Sequence, residues 1–266
     1  MVENTSTRKA LIAGNWKMNL DHLQAIAFVQ KLAWTLKDQS FQSSNVDVAV
    51  FPPFTDLRSV QTLISADNLD FQLGAQDLSP YDSGAHTGDI SGTFLAQLAT
   101  RYVIIGHSER RADHGESDEV VTAKVQAALR HKLVPVICVG ETAEDLEKVG
   151  AAKVPTEQLA AVLAAIPAES EIVVAYEPVW AIGSGTPATA DQAEDVCAIL
   201  RETIRGAHGD EQADRTRILY GGSVKAANIA GFMKRANVDG ALVGGASLDV
   251  EEFAAICQFE KHVTLD

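Results

Sequence analysis

Glu177 follows the apolar run Ile172–Tyr176 and precedes Pro178. A carboxylate held at an apolar edge loses hydration, which raises its basicity and suits it to take a proton from carbon. In the same place it could equally serve as an ion-pair partner. His107 stands after a second apolar run, Tyr102–Ile105, with Ser108-Glu109-Arg110-Arg111 behind it. An imidazole at a helix start is biased towards the neutral form, because the helix dipole opposes added positive charge. Neutral imidazole can donate a hydrogen bond to a developing oxyanion; a core histidine is the plainer alternative. Lys17 comes directly after Asn15 and Trp16. It offers a point charge for an anion, or is simply a solvated surface lysine.

Two glycine motifs suggest what that anion is. Gly221-Gly222-Ser223-Val224 and Gly244-Gly245-Ala246-Ser247 each join an apolar run to a helical segment. Glycine lets backbone N–H groups approach a phosphate, and a helix start adds partial positive charge. Either motif alone could be a tight turn. Gly183-Ser184-Gly185 could supply a third set of N–H donors from a mobile segment.

These residues must be positioned by a repeating frame. Eight short β-branched runs recur: Ala10–Ala13, Val46–Phe51, Phe71–Ala75, Tyr102–Ile105, Val134–Val139, Ile172–Tyr176, Arg217–Tyr220 and Gly240–Val243. Helical spacing separates them, as in Leu23, Ala27, Gln30–Lys31 and Trp34, or Val120, Lys124, Ala127–Ala128 and His131. Nearly unbroken apolar strands are expected where helices cover both faces of a parallel sheet. Alternation alone also fits an open doubly wound sheet. Eight repeats without a linker favour one domain over residues 1–266, an α/β fold closed as a (β/α)8 barrel. Asn15, Lys17, Gln76-Asp77, His107, Glu177 and both glycine motifs then fall at carboxyl ends of strands. In a barrel these ends converge on one rim, where active sites lie.

Composition narrows the partners. The 266 residues carry 36 acidic and 22 basic side chains, a formal net charge of −14. That balance argues against nucleic acid, which needs a basic face, and it repels a small anion unless the site carries its own positive potential. No apolar stretch approaches the roughly 18 residues of a membrane span, and Met1–Lys9 lacks the apolar run of a secretory signal. Cys138, Cys197 and Cys257 are widely spaced in apolar surroundings, which suggests buried thiols in a reducing, cytoplasmic setting.

Five segments carry a family resemblance. They are Asn-Trp-Lys-Met-Asn at 15–19, Gly-His-Ser-Glu-Arg-Arg at 106–111, Tyr-Glu-Pro-Val-Trp-Ala-Ile-Gly at 176–183, Tyr-Gly-Gly-Ser-Val at 220–224 and Leu-Val-Gly-Gly-Ala-Ser-Leu at 242–248. In this order, from first strand to last, they resemble the triosephosphate isomerase family. The resemblance implies an isomerase of glycolysis and gluconeogenesis. It would interconvert dihydroxyacetone phosphate and glyceraldehyde 3-phosphate through an enediolate, without metal or cofactor. It makes Glu177 the base, His107 the electrophile, Lys17 the anion-binding cation and Glu109 their supporting neighbour. Asn15, Lys17, Gly183, Ser223, Gly244 and Gly245 become substrate contacts. A homodimer is implied too, with the Gln76–Gly88 loop entering a second subunit, Thr87 at its tip. Pro178–Thr186 reads as a lid, with Trp180 and Ile182 excluding water so that the enediolate is not lost to phosphate elimination. His114 stands where the family often has an aromatic residue. Another phosphate-binding barrel enzyme would need different residues at 17, 107 and 177, and a catalytically silent scaffold would be expected to lack them.

Overall fold

The computed structural model describes residues 8–182 and 187–262. Eight parallel strands close on themselves in sequence order, the first also pairing with the last. They are β1 (Ala10–Asn15), β2 (Val46–Phe51), β3 (Phe71–Ala75), β4 (Tyr102–Ile105), β5 (Val134–Val139), β6 (Val173–Tyr176), β7 (Arg217–Tyr220) and β8 (Gly240–Val243). Helices connect successive strands, so the chain forms a (β/α)8 barrel. Two bounds differ from the sequence reading. β1 continues to Asn15 because Gly14 and Asn15 still pair with Val50 and Phe51, and β6 begins one residue later, at Val173.

Alternate strand residues divide between two apolar layers. Leu11, Ala13, Ala49, Phe51, Tyr102, Ile104, Val136 and Leu219 fill the barrel interior. Their neighbours Ile12, Val48, Val50, Val103, Ile105 and Ile218 pack outward under the helices. Both faces of each strand are therefore dry, which is why the runs contain so few polar residues. The interior fit is close: a Cβ on Gly74 would lie 2.2 Å from the Phe51 ring.

The helix His22–Asp38 corrects the expected face. Its buried residues are Ala25, Phe28, Val29, Leu32 and Leu36, whereas Leu23, Ala27 and Trp34 are exposed. Asp21 caps it, accepting the N–H groups of Leu23 and Gln24, and this cap fixes the start whichever face turns inward. In Asp118–Arg130, Lys124 and Ala127–Ala128 are buried as expected, while Val120 faces out and Val121 and Val125 face the core. Among the described residues no helix is long and apolar enough to cross a membrane.

Candidate active site

β4 and β6 deliver the two central groups. His107 is the N-cap of the helix Ser108–His114, and its Nδ1 accepts the Glu109 N–H at 3.2 Å. A nitrogen that accepts carries no proton, so the proton sits on Nε2. That atom lies 3.0 Å from Glu177 Oε1 and donates to it. Glu177 is 2% exposed, and its other oxygen accepts the Ser108 N–H at 2.9 Å.

This contact overturns the expected direction at both groups. Burial raises the pKa of Glu177, as the sequence suggested. The neighbouring imidazole, the Ser108 N–H and Lys17 outweigh it, and the carboxyl is held below its ordinary range. Burial likewise lowers the pKa of His107, yet the Glu177 charge, with Glu109 behind it, turns the net shift upward. The helix start leaves its mark at Nδ1, but the carboxylate 3.0 Å from Nε2 dominates the electrostatics.

Glu177 is placed by the exit of β5. Its N–H donates to Val139 O at 2.8 Å, and the Val179 N–H donates to Glu141 O at 3.1 Å. Gly140 must be glycine, since a Cβ there would sit 1.8 Å from the Glu177 carbonyl oxygen. Gly221 performs a similar service from β7, where a Cβ would come within 2.9 Å of Glu177 Cγ.

β1 contributes Asn15 and Lys17. Asn15 is buried, and its Oδ1 accepts the Lys17 N–H at 3.0 Å. Lys17 takes a left-handed backbone, φ 54°, a conformation that costs a non-glycine residue on the order of 1–3 kcal/mol and is commonest at functional sites. The bend is held by Gln76, whose Nε2 donates to Lys17 O and to Phe51 O, both at 2.8 Å. The Lys17 ammonium reaches Glu109 Oε1 at 2.5 Å. Its stem passes the β8 turn, where a Cβ on Gly244 would be 3.5 Å from Lys17 Cε.

A cavity of about 600 Å³ unites these groups. Asn15, Lys17, His107 and Glu177 line it together with Gly221–Ser223, Gly244 and Gly245. Carboxylate, imidazole and both glycine turns thus share one space of small-molecule size. Gly183 lies outside the described residues, as does the rest of 183–186. The described part of the expected lid is a short turn, Val179–Ala181, and Ile182 lines the cavity. Trp180 is half-buried, its indole N–H donating to Glu141 Oε1 at 2.7 Å.

Glu141 was missed by the sequence reading, as was the Ser108 amide. Glu141 is fully buried and also accepts the Tyr176 hydroxyl at 3.0 Å, binding the segment after Glu177 to the end of β5. Its signal is in the sequence: Gly140-Glu141-Thr142 is a polar carboxyl end of a strand, as at β1, β4 and β6.

Barrel, rim cavity and paired acid–base groups define an enzyme of the (β/α)8 class with an active site at the carboxyl ends of its strands. A model of the triosephosphate isomerase family matches residues 10–260. The chain is 66% identical over 256 residues to a triosephosphate isomerase of Leifsonia xyli subsp. xyli, covering 96% of this chain and 99% of that one. A triosephosphate isomerase of Streptomyces avermitilis is 53% identical over 256 residues, with 96% and 98% covered. One of Mycobacterium tuberculosis is 53% identical over 252 residues, with 94% and 96% covered. The chain belongs to the triosephosphate isomerase family. The rival readings, a different phosphate-binding barrel enzyme or a silent scaffold, gain no support from these matches.

Proposed function

We propose that this isomerase interconverts dihydroxyacetone phosphate and glyceraldehyde 3-phosphate with Glu177 as the single base. The observation that carries the reading is the Glu177–His107 contact at 3.0 Å in one cavity with the two glycine turns. The Glu177 carboxylate turns from Ser108 towards substrate and takes a proton from C1 of the ketone. The electron pair of that C–H bond forms the C1–C2 double bond, and the C2 carbonyl oxygen gains negative charge. The Nε2–H of His107, released from Glu177, donates to that oxygen. The imidazole passes its Nε2 proton to O2 and takes the O1 proton in its place, while the carboxylic acid returns its proton at C2, giving the aldehyde with a hydroxyl on C2. Lys17 and Asn15 supply positive charge and a polar contact at the oxygens, with Glu109 fixing the ammonium. The amides of Ser223, Gly244 and Gly245, joined by Gly183, hold the phosphate. No step calls for a cofactor.

The test is interconversion of the two triose phosphates in D2O. The parent converts them and places solvent deuterium on carbon. Glu177→Gln, isosteric and unable to accept a proton, remains folded and loses both. Retained exchange in that variant would remove Glu177 from the role.

We further propose that the chain acts as one domain over residues 1–266, in the cytoplasm, as a homodimer. Its three described cysteines are free and buried, which suits a reducing compartment. The loop after β3 is exposed throughout Tyr81–Asp89 yet braced by Ser79, which pairs with Ile90 and Asp89, and by Tyr81 stacked on His86. Beside Lys17 a second cavity of about 660 Å³ opens under Met18, itself 94% exposed. On this reading a second copy's loop, Thr87 at its tip, enters that space. Sedimentation at micromolar concentration gives a dimer on this reading, and a monomeric mass contradicts it.

A further inference from the structure

The charges around the cavity leave one cation unspent. Lys17 is engaged by Glu109 at 2.5 Å, and Glu177 and Glu252 bring negative charge to the same walls. Glu252 Oε1 also accepts the Ala226 N–H at 2.8 Å, covering the first turn of the helix Ala226–Met233 that would otherwise present partial positive charge. Lys225 lines the cavity between the Gly221–Ser223 turn and this helix start. Its side chain is exposed, and among the described residues it forms no ion pair. Its backbone is pinned without help from the ammonium: the Lys225 N–H donates to Asn228 Oδ1 at 2.8 Å, and Asn228 Nδ2 donates to Ser223 O at 3.1 Å. The base of the side chain is therefore held at the cavity edge while its charged end stays in water.

We propose that Lys225 is the capture cation of this site. It draws the phosphate end of the substrate towards the glycine turns against the repulsion of a chain at −14. The inference rests on the reading of the cavity as the triose phosphate site and adds a group to it. A lysine charge about 7 Å from a phosphate dianion in water raises the local anion concentration roughly five- to tenfold at low salt. Screening over about 8–10 Å near physiological ionic strength removes most of that gain. Lys225 thus acts on encounter and leaves the chemical step alone.

The experiment measures kcat/KM with glyceraldehyde 3-phosphate from about 10 to 300 mM ionic strength for the parent, Lys225→Met and Lys148→Met. Lys148 is an exposed lysine paired with Glu144 outside the cavity, so its loss changes net charge equally. Unphosphorylated glyceraldehyde serves as the uncharged comparison. Lys225→Met is expected to lose about fivefold at low salt and to converge on the parent at high salt. Lys148→Met should track the parent, and all three proteins should treat glyceraldehyde alike. A Lys225→Met profile that follows Lys148→Met at every salt concentration overturns the proposal, as does a salt-independent loss shared by both substrates. Failure of 2-phosphoglycolate to compete with substrate in the parent overturns the cavity reading itself, and this inference with it.

Discussion

Glu177 Oε1 lies 3.0 Å from His107 Nε2, so the proposed base and the proposed electrophile are each other's partners in this structure. Neither can act while they hold each other. The Ser108 N–H, 2.9 Å from the second carboxylate oxygen, holds Glu177 in this position. Under the proposed mechanism substrate replaces both contacts, and those it offers in return draw on its remote phosphate.

The pair gives a pH prediction with a defined sign. Burial lowers the His107 pKa, and Glu177 is the chief group raising it above the ordinary 6.5. Removing the carboxylate as Glu177→Gln leaves burial unopposed on that side, so the imidazole should titrate at lower pH than in the parent. Proton NMR of the His107 ring across pH reads this directly. An unchanged titration would show that the carboxylate does not govern the imidazole.

Gly140→Ala tests the seat of the base. The new Cβ would lie 1.8 Å from the Glu177 carbonyl oxygen, so the backbone after β6 must yield. A shift near 1 Å can cost on the order of 100-fold in turnover, and overpacking of this kind typically destabilises by about 1–3 kcal/mol. Steady-state kinetics and a thermal melt should show a folded barrel with kcat down far more than KM is changed. Parental turnover would mean that the β5 exit does not set the carboxylate's position.

Lys124→Met should damage the fold. Lys124 is buried and reaches Asp77 at 2.7 Å and Glu116 at 2.6 Å, and Arg110 also contacts both carboxylates, at 3.0 and 2.6 Å. Burial pushes the Asp77 carboxyl up despite Lys124, so Asp77 depends on that ammonium for what ionisation it keeps. Removing one member of a buried ionic cluster costs about 3–5 kcal/mol, and for a chain of this size the melting temperature should fall by roughly 10 °C. A melt within a degree or two of the parent would show that Arg110 alone satisfies both acids.

Much of this could be read before any coordinates. Parallel strands buried on both faces are uninterrupted apolar runs, so six of the eight expected strand ranges match the observed bounds. His107, Glu177, Lys17 and Asn15 meet because each stands at the same end of its strand. The inward face of His22–Asp38 was not readable, since Leu23 and Trp34 compete with Phe28 and Leu32 and only packing decides between the two stripes. The pKa directions of Glu177 and His107 were hidden for a related reason. Apolar neighbours in sequence report burial, the largest single influence on each, but not the partner 70 positions away that, with the groups around it, turns the net shift the other way.

Glu177→Asp tests the role of Glu177 as the base with least disturbance. The variant keeps the charge and withdraws the carboxylate by about one methylene, near the 1 Å at which positioning losses reach on the order of 100-fold. The measurement is kcat and KM for glyceraldehyde 3-phosphate in a coupled assay, with circular dichroism to confirm the fold. The prediction is a turnover number reduced about 100-fold or more with KM little altered. Turnover close to the parent's in a folded Glu177→Asp protein would contradict the mechanism.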